Sequence, residues 1–158
     1  MAIRTIRTEE DEILRKKSKK VDVIDERIKE IVNDMIETLH KYEGVGLAAV
    51  QVGMLKQIVV IQEAEDEPIY VIINPEILSQ SGTQIVEEGC LSFPNKFAKI
   101  ERPEKIKIKA LDINGKPFEI KAKGLLAQAI SHEIDHLNGE VFIDKIIPGT
   151  LEIIKPEK

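Results

Sequence analysis

From Asp25 to Tyr42 the apolar residues Ile28, Ile31, Val32, Met35, Ile36 and Leu39 recur at spacings of three and four. That period lays one buried stripe along a helix. Asp25 precedes the stripe as a cap, and Gly44 follows as a stop. After a glycine-rich stretch, GVGLAAVQVG, the pattern becomes that of strands: QIVVI (57–61), IYVII (69–73) and TQIVE (83–87). KIKIKAL (105–111) alternates strictly, and Asn114-Gly115 is a turn pair leading into PFEIKA (117–122). This hairpin should bury Ile106, Ile108 and Ala110 and turn its lysines to water. A second helical segment, GLLAQAISHEIDHL, runs from about Leu125 to Leu137, with apolar residues around most of its circumference. It should be largely buried. VFIDKI and LEII, separated by Pro148-Gly149, read as short strands in the tail. The order helix, strands, helix predicts an α+β fold, with antiparallel β-sheets packed around the second helix and a long N-terminal helix beside them.

Composition narrows the function classes. The 158 residues contain no internal repeat or Pro/Ser-rich linker and read as one domain, 1–158. A net charge of −5 and 4% aromatics without Trp offer no general reason to bind nucleic acid directly. No apolar run approaches the roughly 20 residues of a membrane helix, and MAIRTIRTEEDEILRKK resembles neither a signal nor a transit peptide. Cys90 is the only cysteine, so no internal disulfide forms and the expected location is cytoplasmic.

The second helix carries the chemistry. His132 and His136 are four apart and share a face, with Glu133 beside them as a base. Polar groups on a buried helix must be paired or ligated. A catalytic zinc-type site takes three protein ligands and an open position. Downstream, Glu140, Asp144, Glu152 and Glu157 are weak candidates for the third ligand. Glu140 would need a sharp reversal past Gly139, Asp144 lies in a strand-like run, and the other two are in the tail. Upstream, EEGCLSFP places Cys90 beside Gly89, where backbone can approach another element closely. Thiolate with two imidazoles is a known catalytic set, and Cys90 is read as the third ligand.

Three stretches, GVGLAAVQ (44–51), EGCLS (88–92) and HEIDH (132–136), resemble the peptide deformylases in order and separation. That family is α+β and removes the formyl group from the N-terminal formylmethionine of newly made proteins. The resemblance implies Cys90, His132 and His136 as metal ligands and Glu133 as general acid/base. It also implies Gln51 and the Leu91 N–H as oxyanion donors, and Gly46 as a backbone partner of the substrate peptide. Val45, Val86, Leu125 and Ala129 fall where the family lines its methionine pocket, and Arg102 is expected to support the site or meet substrate. One divalent ion is implied, Fe²⁺ in the cell, with Zn²⁺, Ni²⁺ or Co²⁺ also suited to this donor set.

Ser131 and Gln128 depart from the family pattern, and both bear on the pocket's shape. The tail lacks the basic helix of some bacterial members, so a transient ribosome contact through such a helix is not assumed. Glu88 and Asp135 are each able to accept the outer N–H of a metal histidine, or to form an ordinary ion pair. Two alternatives remain open at this level: an endopeptidase using a downstream ligand, and a metal-binding regulatory protein without catalysis.

Overall fold

Asp25 caps the first helix as its residue type predicts, its side chain accepting the Ile28 N–H at 3.0 Å. The computed structural model describes residues 2–154, so Glu157 lies outside the described residues. Helix α1 (Glu26–Lys41) buries Ile28, Ile31, Val32, Met35 and Leu39. Its exit differs from expectation. Glu43, not Gly44, takes the left-handed conformation (φ 53°). Gly44 instead lies close against two leucines, where a Cβ would stand 2.8 Å from Leu91 Cδ1 and 2.9 Å from Leu39 Cδ1 and make both side chains shift.

The strands are β1 (Gly46–Ala48), β2 (Ile58–Ile61), β3 (Tyr70–Ser81), β4 (Gln84–Cys90), β5 (Phe93–Arg102), β6 (Lys105–Leu111), β7 (Pro117–Lys123) and β8 (Glu152–Ile153). They form a five-stranded sheet ordered β1-β2-β3-β6-β7 and a three-stranded sheet ordered β4-β5-β8. Every pairing within them is antiparallel.

Helix α2 (Gly124–Leu137) packs into the core between them. Its Ala127, Ala129 and Ile130 meet Ile61, Ile72 and Ile108 on one face of the larger sheet. Helix α1 covers part of the opposite face through Ile58, Val60 and Ile73. A third cluster, including Leu14, Phe93, Ile100 and Phe142, closes the smaller sheet. Each fully buried side chain of this size contributes about 1.5–3 kcal/mol. The hairpin buries Ile106, Ile108 and Ala110, as the alternation requires.

Three elements depart from the sequence pattern. β3 continues past Asn74-Pro75 to Ser81, the irregularity being absorbed by a register shift and by Asn74 at φ 53°. β5 forms across a segment assigned no element from sequence. In the tail, Phe142–Asp144 is a 3-10 turn rather than a strand, which lets Phe142 bury its ring. Among the described residues, no helix is long and apolar enough to cross a membrane.

Candidate active site

One turn of α2 separates His132 from His136, and their Nε2 atoms lie 3.2 Å apart. β4 delivers Cys90 to the same point, with Sγ 3.3 Å from His136 Nε2. A register shift between Gly89 and Cys90 re-aims the strand there. The Phe97 ring packs closely over Gly89, where a Cβ would stand 2.7 Å from it and push the ring aside. The three donor atoms all fall within 4.8 Å of one another. A tetrahedral ion with ordinary metal–nitrogen and metal–sulfur bonds has N···N and N···S edges of about 3.3 and 3.6 Å. The donor set therefore fits one small divalent ion.

The other nitrogen of His132 settles its tautomer. Nδ1 bonds to Glu88 Oε1, which, as a carboxylate, only accepts. Nδ1 thus carries the hydrogen, the arrangement in which Nε2, facing Cys90 and His136, is the nitrogen that can ligate an ion. Glu88 is held by Arg102 Nε at 3.0 Å and by Gln128 Nε2 at 3.2 Å. Burial pushes the Glu88 carboxyl up, but the bonds from His132 and Arg102 outweigh it and hold the group at about 2. Asp135 is engaged differently. It accepts from Arg102 Nη1 at 2.6 Å and Lys145 Nζ at 3.1 Å, and leaves the histidine to Glu88.

Glu133 is buried, and its Oε1 has no hydrogen-bond partner among the described residues. Burial lifts its carboxyl to about 7, against the opposing attraction of His132. Gln51 is also buried, on a 3-10 turn (Ala49–Val52). Its Oε1 accepts the Ala48 N–H at 2.9 Å, which orients the amide. Nε2 then faces Ser92 Oγ at 3.1 Å and Cys90 Sγ at 3.6 Å. Ser92 was not singled out from sequence; only its place beside the CL pair could have marked it.

Gln51, Glu88, Cys90, His132 and Glu133 border a cleft of about 730 Å³. Val45, Gly46, Leu91, Leu125 and Ala129 line it, together with Gln128. Two expected residues sit beside or behind it. Val86 is half-buried on the face of β4 that also carries Glu88, and packs against the cluster of Phe93, Ala98 and Ile100 at the edge of the site. Arg102 is buried behind Glu88, its side chain 2% exposed, so it supports the site and does not present itself to a substrate. The downstream carboxylates are also occupied or remote. Glu140 pairs with Lys145 and Asp144 with Arg15, while Glu152 lies on β8.

A family profile described as polypeptide deformylase matches residues 3–151. Peptide deformylase 1 of Clostridium perfringens is 56% identical over 144 residues, covering 91% of this chain and 98% of that protein. The peptide deformylase of Alkaliphilus metalliredigens is 53% identical over 147 residues, covering 93% and 99%. The crystal structure of a peptide deformylase from Legionella pneumophila superposes with a TM-score of 0.90 at 46% identity, covering 92% of this chain and 87% of that one. Both the endopeptidase and the non-catalytic alternatives fall away. Sequence and fold agree over nearly the whole length, and the chain belongs to the polypeptide deformylase family, metal-dependent hydrolases that remove the N-formyl group from the N-terminal formylmethionine of newly made proteins.

Proposed function

We propose that Cys90, His132 and His136 hold one divalent ion, and that Glu133, Gln51 and Leu91 carry out the deformylation around it. The bound ion would supply Lewis acidity, making water a nucleophile near neutral pH. Glu133 Oε1 takes the proton of the attacking water and returns it to the departing methionine nitrogen. A carboxyl lifted to about 7 by burial suits both transfers.

As the formyl carbon becomes tetrahedral, Gln51 Nε2 donates to its oxygen in place of the long contact with Cys90 Sγ. The Ala48 N–H keeps the amide oriented throughout. Leu91 N–H is the second donor, and each is worth roughly 3 kcal/mol in comparable sites. Gly46 offers backbone hydrogen bonds to the peptide. Val45, Leu125 and Ala129 receive the methionine side chain, and the exposure of Leu125 (47%) leaves apolar surface for it to cover.

The ion we assign in the cell is Fe²⁺, a choice supported by the family resemblance; Zn²⁺, Ni²⁺ and Co²⁺ suit the same donors. Residues 1–158 act as one catalytic domain that works in the cytoplasm on formylmethionyl nascent peptides.

The observation that carries the assignment is the buried, unpartnered Oε1 of Glu133 beside the three donors. Glu133→Ala should keep stoichiometric metal and lose most formate release from a formyl-Met peptide. Cys90→Ala, His132→Ala and His136→Ala should lose metal and activity together. Equal loss of metal in the Glu133 variant would make that residue structural and remove the acid/base role.

A further inference from the structure

The larger sheet is covered unevenly. α2 lies along one face, whereas the α1 cluster covers the other over β1, β2, the start of β3 and the Leu111 end of β6. The uncovered part carries Lys105, Lys107 and Lys109 of β6 with Lys121 and Lys123 of β7. Lys105 stands directly opposite Lys123, and Lys107 opposite Lys121. Like charges in directly opposed positions destabilise an antiparallel pair, so folding gains nothing from this arrangement.

Glu119 pairs with Lys107 at 3.2 Å and Glu76 with Lys109 at 3.6 Å. Among the described residues, Lys105, Lys121 and Lys123 have no carboxylate within ion-pair distance. Ser81 and Ser79 of β3 extend the two lysine rows as the partners of Lys105 and Lys107. Together the rows border a recess of about 360 Å³.

We infer that this face of β3, β6 and β7 docks the phosphate backbone of RNA. Successive rows are about 7 Å apart, two strand residues, which suits consecutive phosphates of an extended strand. The rows hold ammonium and hydroxyl donors and no aromatic ring, so binding is to the backbone and carries no base readout. A recess between rows of side chains receives a strand-shaped polyanion better than a flat bilayer. The net charge of −5 argues against nucleic acid for the chain as a whole, but it averages over this local face. RNA rather than DNA follows from the family's activity, because its substrates are new proteins made beside RNA. The inference rests on that activity and not on the residue roles proposed above.

The test is titration of a fluorescent mixed-sequence single-stranded RNA at several salt concentrations. The triple variant Lys105→Gln, Lys121→Gln, Lys123→Gln should bind at least tenfold more weakly at low salt. Its log–log salt dependence should be shallower by about 2, from three lost contacts at about 0.7 each. The corresponding triple arginine variant should retain binding. Both should release formate from a short formyl-Met peptide at the parent rate, which also shows that they fold. Unchanged RNA affinity in the glutamine variant would overturn the inference. So would binding of polyglutamate, or of vesicles rich in phosphatidylserine, as tightly as RNA.

Discussion

A Cβ on Gly46 would stand 2.6 Å from Oε2 of Glu133. β1 holds Gly46 opposite Ile61, so its backbone is not free to withdraw. The carboxylate is the end of a side chain and can move. Gly46→Ala should therefore fold nearly as well as the parent, while Glu133 is displaced from its place beside the metal donors. A misplacement of about 1 Å in a catalytic group costs on the order of 10²-fold in rate. We expect kcat for formate release to fall by about that factor with metal content unchanged. Parent-like kcat would mean the carboxylate finds an equally competent position.

Glu88 and Arg102 predict two separable effects. Glu88→Gln removes the charge behind His132, and should weaken metal affinity by about 10–100-fold in competition with a chelator. Arg102→Ala leaves Glu88 buried without its guanidinium partner. It should cost about 3–5 kcal/mol in denaturant unfolding and have little direct effect on KM. A large rise in KM at unchanged stability would put Arg102 on the substrate side after all.

How much the sequence revealed depended on whether a signal was local. The histidine pair is one turn of helix, and its geometry follows from a spacing of four. Cys90 was legible through its scarcity and the glycine before it. By contrast, the partition between Glu88 and Asp135 was not, because it depends on where β5 delivers Arg102. β5 itself was hidden by Pro94 and Asn95, although Ala98, Ile100 and Arg102 do alternate inward. The Asn74-Pro75 pair hid the length of β3 in the same way. Phe142 reads as part of a β-branched run, but burial of its ring beside Phe93 favours a tight turn. Val86 has no local signal of its own in the sequence, and its place two residues before Glu88 on one face of β4 is a matter of strand packing.

Asp34 gives the protein an acid-sensitive tie between its N-terminal arm and α1. It accepts the Ala2 N–H at 2.7 Å and Arg4 Nε at 3.0 Å. Burial would raise its carboxyl, but the Ala2 bond and the Arg4 guanidinium hold it below the ordinary 3.8. Because the folded value is the lower one, the unfolded chain binds more protons in the acid range. The stabilisation is fully present above 3.8 and is lost as pH falls through the folded value. Asp34→Asn should cost about 1.5–3 kcal/mol at neutral pH, as for hydrogen bonds to a charged group. The gap from the parent should narrow on acidification below 3.8. Urea unfolding across that range checks it, and a gap constant with pH would mean that Asp34 acts through shape rather than charge.

The last prediction concerns the ion and its sulfur ligand together. Cys90 is half-buried and lines the cleft, so dissolved oxygen reaches the thiolate and anything it holds. A thiolate beside a ferrous ion offers two oxidisable centres, the iron itself and the sulfur, whose first product is a sulfenic acid. Nickel in the same donors is far less prone to one-electron oxidation by air. Protein loaded with Fe²⁺ should lose activity on aerobic standing, with either loss of iron or oxygen added to Cys90 in the mass spectrum of its peptide. The nickel form should keep its activity and an unmodified Cys90 over the same interval. The Cys90→Asp variant, a carboxylate in place of the thiolate, should not acquire oxygen at that position whatever the ion. Equal lifetimes of the iron and nickel forms in air, with metal content verified, would count against an oxidation-prone ferrous centre at Cys90, His132 and His136.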